Sequence, residues 1–151
     1  PGGKDFYTMA TIEEPSLATD TGHYKQVGQG QNVVEHEPVE GPSLWLETPD
    51  DVIEFVMGDN VTDTIVISRG GATTFVAPAL TAGVKGLITL QGGRESHLGI
   101  VSREFGIPCV MSVAFTEGIT TSEGETVPAN GTILRLDTSA MPMADVYVKG
   151  E

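Results

Sequence analysis

Short apolar runs separated by turn residues set the pattern of this chain, which is sharpest from Leu44 to Met111. Leu44-Trp45-Leu46, Thr64-Ile65-Val66-Ile67, Gly86-Leu87-Ile88-Thr89-Leu90 and Pro108-Cys109-Val110-Met111 read as buried strands. Helical signals fall between them. Thr48 and Pro49 form an N-cap and first-turn pair, Asp50 and Asp51 suit a helix start, and Val52, Ile53, Val56 and Met57 form an apolar stripe up to Gly58. Arg69-Gly70-Gly71 turns the chain. Thr74 is placed to cap a helix over 75–82 that Gly83 closes, with Pro78 tolerated only near the first turn. A third helix follows Gly92-Gly93, with Leu98, Val101 and Phe105 on one face and Gly106 as its stop.

The flanks are less regular. Residues 1–40 form a polar, Gly-rich, weakly patterned leader, either part of the fold or disordered. Within it Tyr24–Val27 and Asn32–Glu35 suggest short strands joined across Gly28-Gln29-Gly30. Near the other end Asn130-Gly131, between Glu125–Pro128 and Thr132–Leu136, is a hairpin signal. Val146-Tyr147-Val148 is either a last strand or part of a loose tail over 138–151. Strands alternating with helices predict an α/β core with some parallel pairing and hairpins adding a further layer of sheet.

Composition narrows the function classes. The chain's 151 residues make one domain, large enough to bury a core without staples. Eight basic and 21 acidic residues give a net charge of −13, which argues against nucleic acid and anionic membranes as partners. Cys109 is the sole cysteine, so neither a disulfide framework nor a cysteine metal cluster is expected. No apolar run reaches a membrane span and no signal peptide is visible, which points to the cytoplasm. The start at Pro1 suggests trimming after an initiator Met or excision from something longer.

The chemistry concentrates in Gly92-Gly93-Arg94-Glu95-Ser96-His97. Two glycines let backbone approach a ligand, Ser96 can cap the helix or donate to an oxygen, and His97 stands at the helix mouth. Free N–H groups and the helix dipole favour an anion there. Arg94, Arg69 and Arg103 are candidate phosphate holders, although Arg103 is six residues on and needs a bend or a partner element to reach His97. His23 and His36 read as surface residues, and no zinc site or other metal site is expected. Cys109 reads as a small core residue rather than a nucleophile. Arg69–Thr74 lacks the Gly-Lys-Ser/Thr ending of a P-loop and reads as a strand-to-helix turn. Glu13-Glu14 and Asp50-Asp51 read as solvated or helix-start charge, without a carboxylate pair at acid/base spacing.

The block from Gly92 to Val110 resembles the swivelling phosphohistidine domain of phosphoenolpyruvate-utilising enzymes, the class that includes pyruvate phosphate dikinase, phosphoenolpyruvate synthase, enzyme I and rifampin phosphotransferase. Gly92, Gly93, Ser96, His97, Ile100, Arg103, Gly106, Ile107, Pro108 and Val110 fit its pattern, and the likeness extends over about residues 43–137. Glu95, Leu98, Gly99 and Ser102 depart from it. The resemblance implies a three-layer β/β/α swivelling domain. It implies that His97 accepts a phosphoryl group at one active site and yields it at another, with Gly92, Gly93, Ser96, Arg94 and Arg103 supporting the phosphate. No cofactor is then expected on this chain. Phosphoenolpyruvate or ATP, with Mg2+, would be bound by partner catalytic domains of the ATP-grasp or phosphoenolpyruvate-binding type. The alternatives are a non-phosphorylated binding module that keeps the fold, and an independent hydrolase or metal enzyme.

Overall fold

The computed structural model describes residues 24–71 and 74–149; His23, Glu13-Glu14 and most of the expected leader lie outside them. The elements in chain order are β1 (Tyr24–Asn32), β2 (Val39–Trp45), α1 (Pro49–Val56), a 3-10 turn (Val61–Asp63), β3 (Ile65–Gly70), α2 (Ala77–Thr81), β4 (Gly86–Gln91), α3 (His97–Phe105), β5 (Cys109–Met111), β6 (Ile119–Thr120), β7 (Thr126–Val127), β8 (Ile133–Asp137) and β9 (Met143–Lys149). Seven strands close into a mixed barrel in the order β1-β5-β4-β3-β2-β8-β9, and β6 and β7 form a separate two-stranded ribbon. The α/β expectation holds.

Chain order explains where the helices go. Strands β2, β3, β4 and β5 are successive and parallel, so each connection is a crossover carrying one helix. Strands β3, β4 and β5 are buried on both faces. Val66, Leu87 and Cys109 are register partners that pack under the helices, whereas Ile67, Ile88 and Val110 form the neighbouring row inside the barrel. Burial on both sides is why these strands read as continuous apolar runs. The antiparallel half, β8, β9 and β1, alternates instead. Leu134, Leu136, Ala144 and Val146 face inward, while Arg135, Asp145 and Tyr147 between them are partly exposed.

Local signals were obeyed where they satisfied backbone groups. Thr48 Oγ1 accepts from the Asp51 N–H at 3.1 Å and Asp51 Oδ2 accepts from the Thr48 N–H at 3.0 Å, a reciprocal capping box with Pro49 in the first turn. The apolar stripe of α1 was misplaced, however. Val52, Phe55 and Val56 meet the core, and Ile53 and Met57 are 56% and 79% exposed. The 52/55/56 set spans one face at helical spacing, and Ile53 and Met57 lie roughly 110° and 150° round from its centre. Helix α2 starts at Ala77 rather than after Thr74, whose carbonyl accepts from the Ala77 N–H. Pro78 lacks an N–H and therefore forces the first turn to that point.

Two expectations about the flanks change and one open alternative is resolved. No hairpin bends at Gly28-Gln29-Gly30; β1 continues through, with a register shift between Gln26 and Gly28, and pairs with β9 and β5. Gly30 lies so close to the Met111 carbonyl and Val113 that a Cβ there would collide, so the glycines permit close approach rather than a turn. Asn130-Gly131 turns the chain, with Gly131 at φ 89°, but its arms do not pair with each other. Thr126-Val127 pairs with β6, and β8 pairs with β2 and β9. Pro128 cannot donate to a ladder, and Asn130 Oδ1 and the Gly131 N–H instead bond to Trp45 N and Ser43 O of β2. Residues 143–149 form a full strand, settling the open alternative at Val146–Val148.

Leu136 is fully buried in the barrel and touches the space above Gly86. Leu136→Ala should lower unfolding free energy by about 2–5 kcal/mol, measured as a shifted urea midpoint at unchanged slope.

Candidate functional site

Helix α3 is built to start at one defined place. Ser96 is its N-cap, with φ −72° and ψ 162°, and its Oγ accepts from the Gly99 N–H at 3.2 Å. The same hydroxyl donates to the Gly93 carbonyl at 2.7 Å. At the other end Gly106 adopts φ 65°, and the Ile107 N–H returns to the Ser102 carbonyl at 3.0 Å. Leu98, Gly99 and Ser102 form the buried side. Phe105, expected on that side, is 51% exposed: it shares the face of Leu98 but is the last residue of the helix and is not packed against the core.

The loop between β4 and α3 folds back onto the helix. Gly92, at φ 103°, gives its carbonyl to the Ser112 hydroxyl at 2.6 Å. Gly93 leaves room for the side chain of Gln31, whose Oε1 accepts from the Arg94 N–H at 2.8 Å. The Arg94 carbonyl accepts from Arg103 Nη1 at 2.7 Å. This loop-on-helix contact needs Gly99: a Cβ there would stand 2.7 Å from the Gly93 oxygen and 2.8 Å from the Arg94 oxygen. The carbonyls of residues 92, 93 and 94 are thus all bound within the protein.

His97 is the first residue of α3 and is exposed. Its N–H and that of Leu98 belong to the unpaired first turn, and neither has an acceptor among the described residues. Two amide donors, the positive end of the helix dipole and an accessible imidazole therefore share one place. An exposed imidazole there can act as a nucleophile when neutral, and its product with a phosphoryl group would lie beside donors suited to an anion.

The structure brings Gly92, Gly93, Arg94, Ser96, His97 and Arg103 into one loop-and-helix unit. Arg103 reaches that unit without a bend in the helix, because the loop comes to it. Arg94 is exposed, and its Nη1 lies 3.4 Å from the Val33 carbonyl. Glu95 is exposed and makes no ion pair among the described residues.

Arg69 is not a free phosphate holder. Its guanidinium grips Glu125 through Nε and Nη2 at 2.6 and 2.8 Å and Glu47 through Nη1 at 2.9 Å, and it lies 5.3 Å from the centre of the Trp45 ring. Glu47 and Glu125 satisfy its planar fork, Glu123 Oε1 lies 3.4 Å from Nε, and its side chain is only 12% exposed. Glu47 and Glu125 are 22 and 56 residues away, so no local signal announced them. Cys109 is fully buried and its thiol is pushed up to about 12 by desolvation, so it stays protonated and inert. His36 is exposed, with Nδ1 2.7 Å from the Glu37 carbonyl, and lies outside the site. Gln31 and Ser112, which hold the histidine loop, carried no motif in the sequence.

A family model, PEP-utilising enzyme, mobile domain, matches residues 62–139. The chain belongs to this family. The matched segment holds β3 to β8 and the whole loop-and-helix unit; β1, with Gln31, and β9 lie outside it.

Two predictions follow from these contacts. Gly99→Ala should push the loop off the helix and cost about 1 kcal/mol or more, with amide shifts concentrated at residues 92–97 in 15N–1H spectra. The Arg69 guanidinium, through its hydrogen bonds, holds Glu47 and Glu125 below the ordinary 4.5. The stability they add is therefore complete above that pH and is lost as pH falls through their lowered folded-state values. In Arg69→Met both carboxyls lose their cation, so the variant should be less stable than the wild type to urea at neutral pH, and the gap should narrow as pH falls below 4.5.

Proposed function

We propose that this domain is a phosphoryl carrier in which His97 accepts a phosphoryl group and passes it on. The observation that carries the reading is the accessible imidazole at a preformed helix start, with two N–H groups unclaimed while the neighbouring loop carbonyls are occupied. Family membership supplies the class of chemistry: a mobile domain of a PEP-utilising enzyme works with catalytic domains that it does not itself contain.

In the first half-reaction a neutral ring nitrogen attacks phosphorus. An N–P bond forms, the P–O bond to the donor breaks, and the electron pair leaves on the donor oxygen. In the second, an acceptor oxygen attacks, the N–P bond breaks and its electrons return to the ring. The free N–H groups of His97 and Leu98 would stabilise oxygen charge in both steps without reorganising. Arg103 serves by fixing the loop through the Arg94 carbonyl. Glu95, exposed, is screened by solvent and does not bar the reaction.

The donor is phosphoenolpyruvate or ATP on a partner catalytic domain of the ATP-grasp or phosphoenolpyruvate-binding type, with Mg2+ held there and the exchange taking place in the cytoplasm. We read the barrel as the β/β/α layering of a swivelling domain, with helices, parallel strands and antiparallel strands in succession. Tyr24 and Lys149 are register partners, so the first and last described strands meet at one corner, from which such a body can swing. No helix among the described residues is long and apolar enough to cross a membrane.

Phosphoramidate, a small phosphoryl donor that requires no partner chain, provides the test. The full chain should gain one acid-labile phosphoryl group by intact mass, and His97→Ala should abolish it. A wild-type chain that stays unlabelled would favour a binding module that keeps the fold without the transfer.

A further inference from the structure

We propose that Gln31, from β1, is a positioning residue for His97; this rests on the carrier reading of that histidine. The Arg94 N–H lies in an exposed loop and donates to Gln31 Oε1 at 2.8 Å. The amide of Gln31 fills the space that Gly93 leaves open, since a Cβ on Gly93 would come within 2.8 Å of Oε1. The side chain therefore touches the loop at two consecutive residues.

Gln31 can act as an anchor because its own backbone is fixed on both sides. It pairs with Met111 of β5 and Met143 of β9, at the seam where β1 joins the two halves of the barrel. Next to it, Asn32 is fully buried and its Nδ2 donates to the carbonyls of Thr138 and Ala140 at 2.9 and 2.6 Å. Its N–H bonds to Pro142 O at 2.8 Å. The end of β1 is thus held in place, and a hydrogen bond from it transfers that rigidity to the loop.

The chain of contacts from there to the imidazole is short. Fixing the Arg94 N–H fixes the 93–94 peptide plane, and with it the direction of the Gly93 carbonyl. That carbonyl accepts from both the Ser96 hydroxyl and the Ser96 N–H, at 2.7 and 3.0 Å. Ser96 caps the helix whose first residue is His97. Gln31 thereby sets the direction of the free N–H groups and of the ring without touching the reacting atoms. Its anchor lies outside the segment that the family model matches, so the barrel seam, and not the histidine motif alone, completes the acceptor. Because Gln31 is exposed, removing its side chain leaves the core intact.

The experiment uses the full chain with Gln31→Ala and Gln31→Glu. In Gln31→Ala the thermal midpoint should hold, amide exchange at Arg94 should quicken about tenfold, and labelling of His97 by phosphoramidate should slow about tenfold, since small misplacements of reacting groups have effects of that size or more. Gln31→Glu keeps an acceptor oxygen and should restore slow exchange at Arg94. Unchanged exchange at Arg94 in Gln31→Ala, or an unchanged labelling rate, overturns the proposal. Failure of the carrier reading looks different: the wild-type chain itself takes no label, while exchange at Arg94 still reports whether Gln31 holds the loop.

Discussion

The geometry around His97 depends on a loop lying against its own helix. Gly99 makes room for the carbonyls of Gly93 and Arg94 on the surface of α3, and hydrogen bonds from Ser96, Arg103 and Ser112 then claim every carbonyl from residue 92 to 94. The N–H groups of His97 and Leu98 at the helix start have no acceptor among the described residues. Donors without acceptors beside an exposed imidazole are poised for an anion, because backbone groups of a fixed helix turn need no reorganisation to receive one. Local competition for hydrogen bonds thus decides the chemistry of the site.

The barrel supplies the stiffness behind this arrangement. The parallel strands that end at the histidine loop are buried on both faces, under helices outside and against a second apolar cluster inside. The loop is tied to three separate parts of that frame: β1 through Gln31, the segment after β5 through Ser112, and the last turn of α3 through Arg103. Arg69 plays a different part from the one its position suggested. It fastens the β6–β7 ribbon and β2 to the end of β3 through Glu125 and Glu47, so its charge is spent on structure.

What the sequence made legible was what its neighbours in sequence decide. The Thr48 cap, the Ser96 cap and the Gly106 stop each satisfy backbone groups within a few residues and are readable from residue types, whereas the reciprocal bond from Asp51 is not. The parallel core was readable because double burial leaves nearly unbroken apolar runs. What went unread was set by tertiary contact. Ile53, Met57 and Phe105 are apolar but exposed, since the partner surface and not the residue type chooses the buried arc. Gly28 and Gly30 resemble a turn in sequence and serve as close-approach points in a strand. Gln31 and the partners of Arg69 act across separations of 22 to 63 residues, where no motif exists to find them.

The most direct measurement compares 15N–1H spectra of the chain before and after labelling with phosphoramidate. If the helix start receives the phosphoryl oxygens, the amide protons of His97 and Leu98 move strongly downfield while those of the barrel strands stay where they were. A chain that carries the label on His97 yet leaves those two amides unmoved would contradict the account.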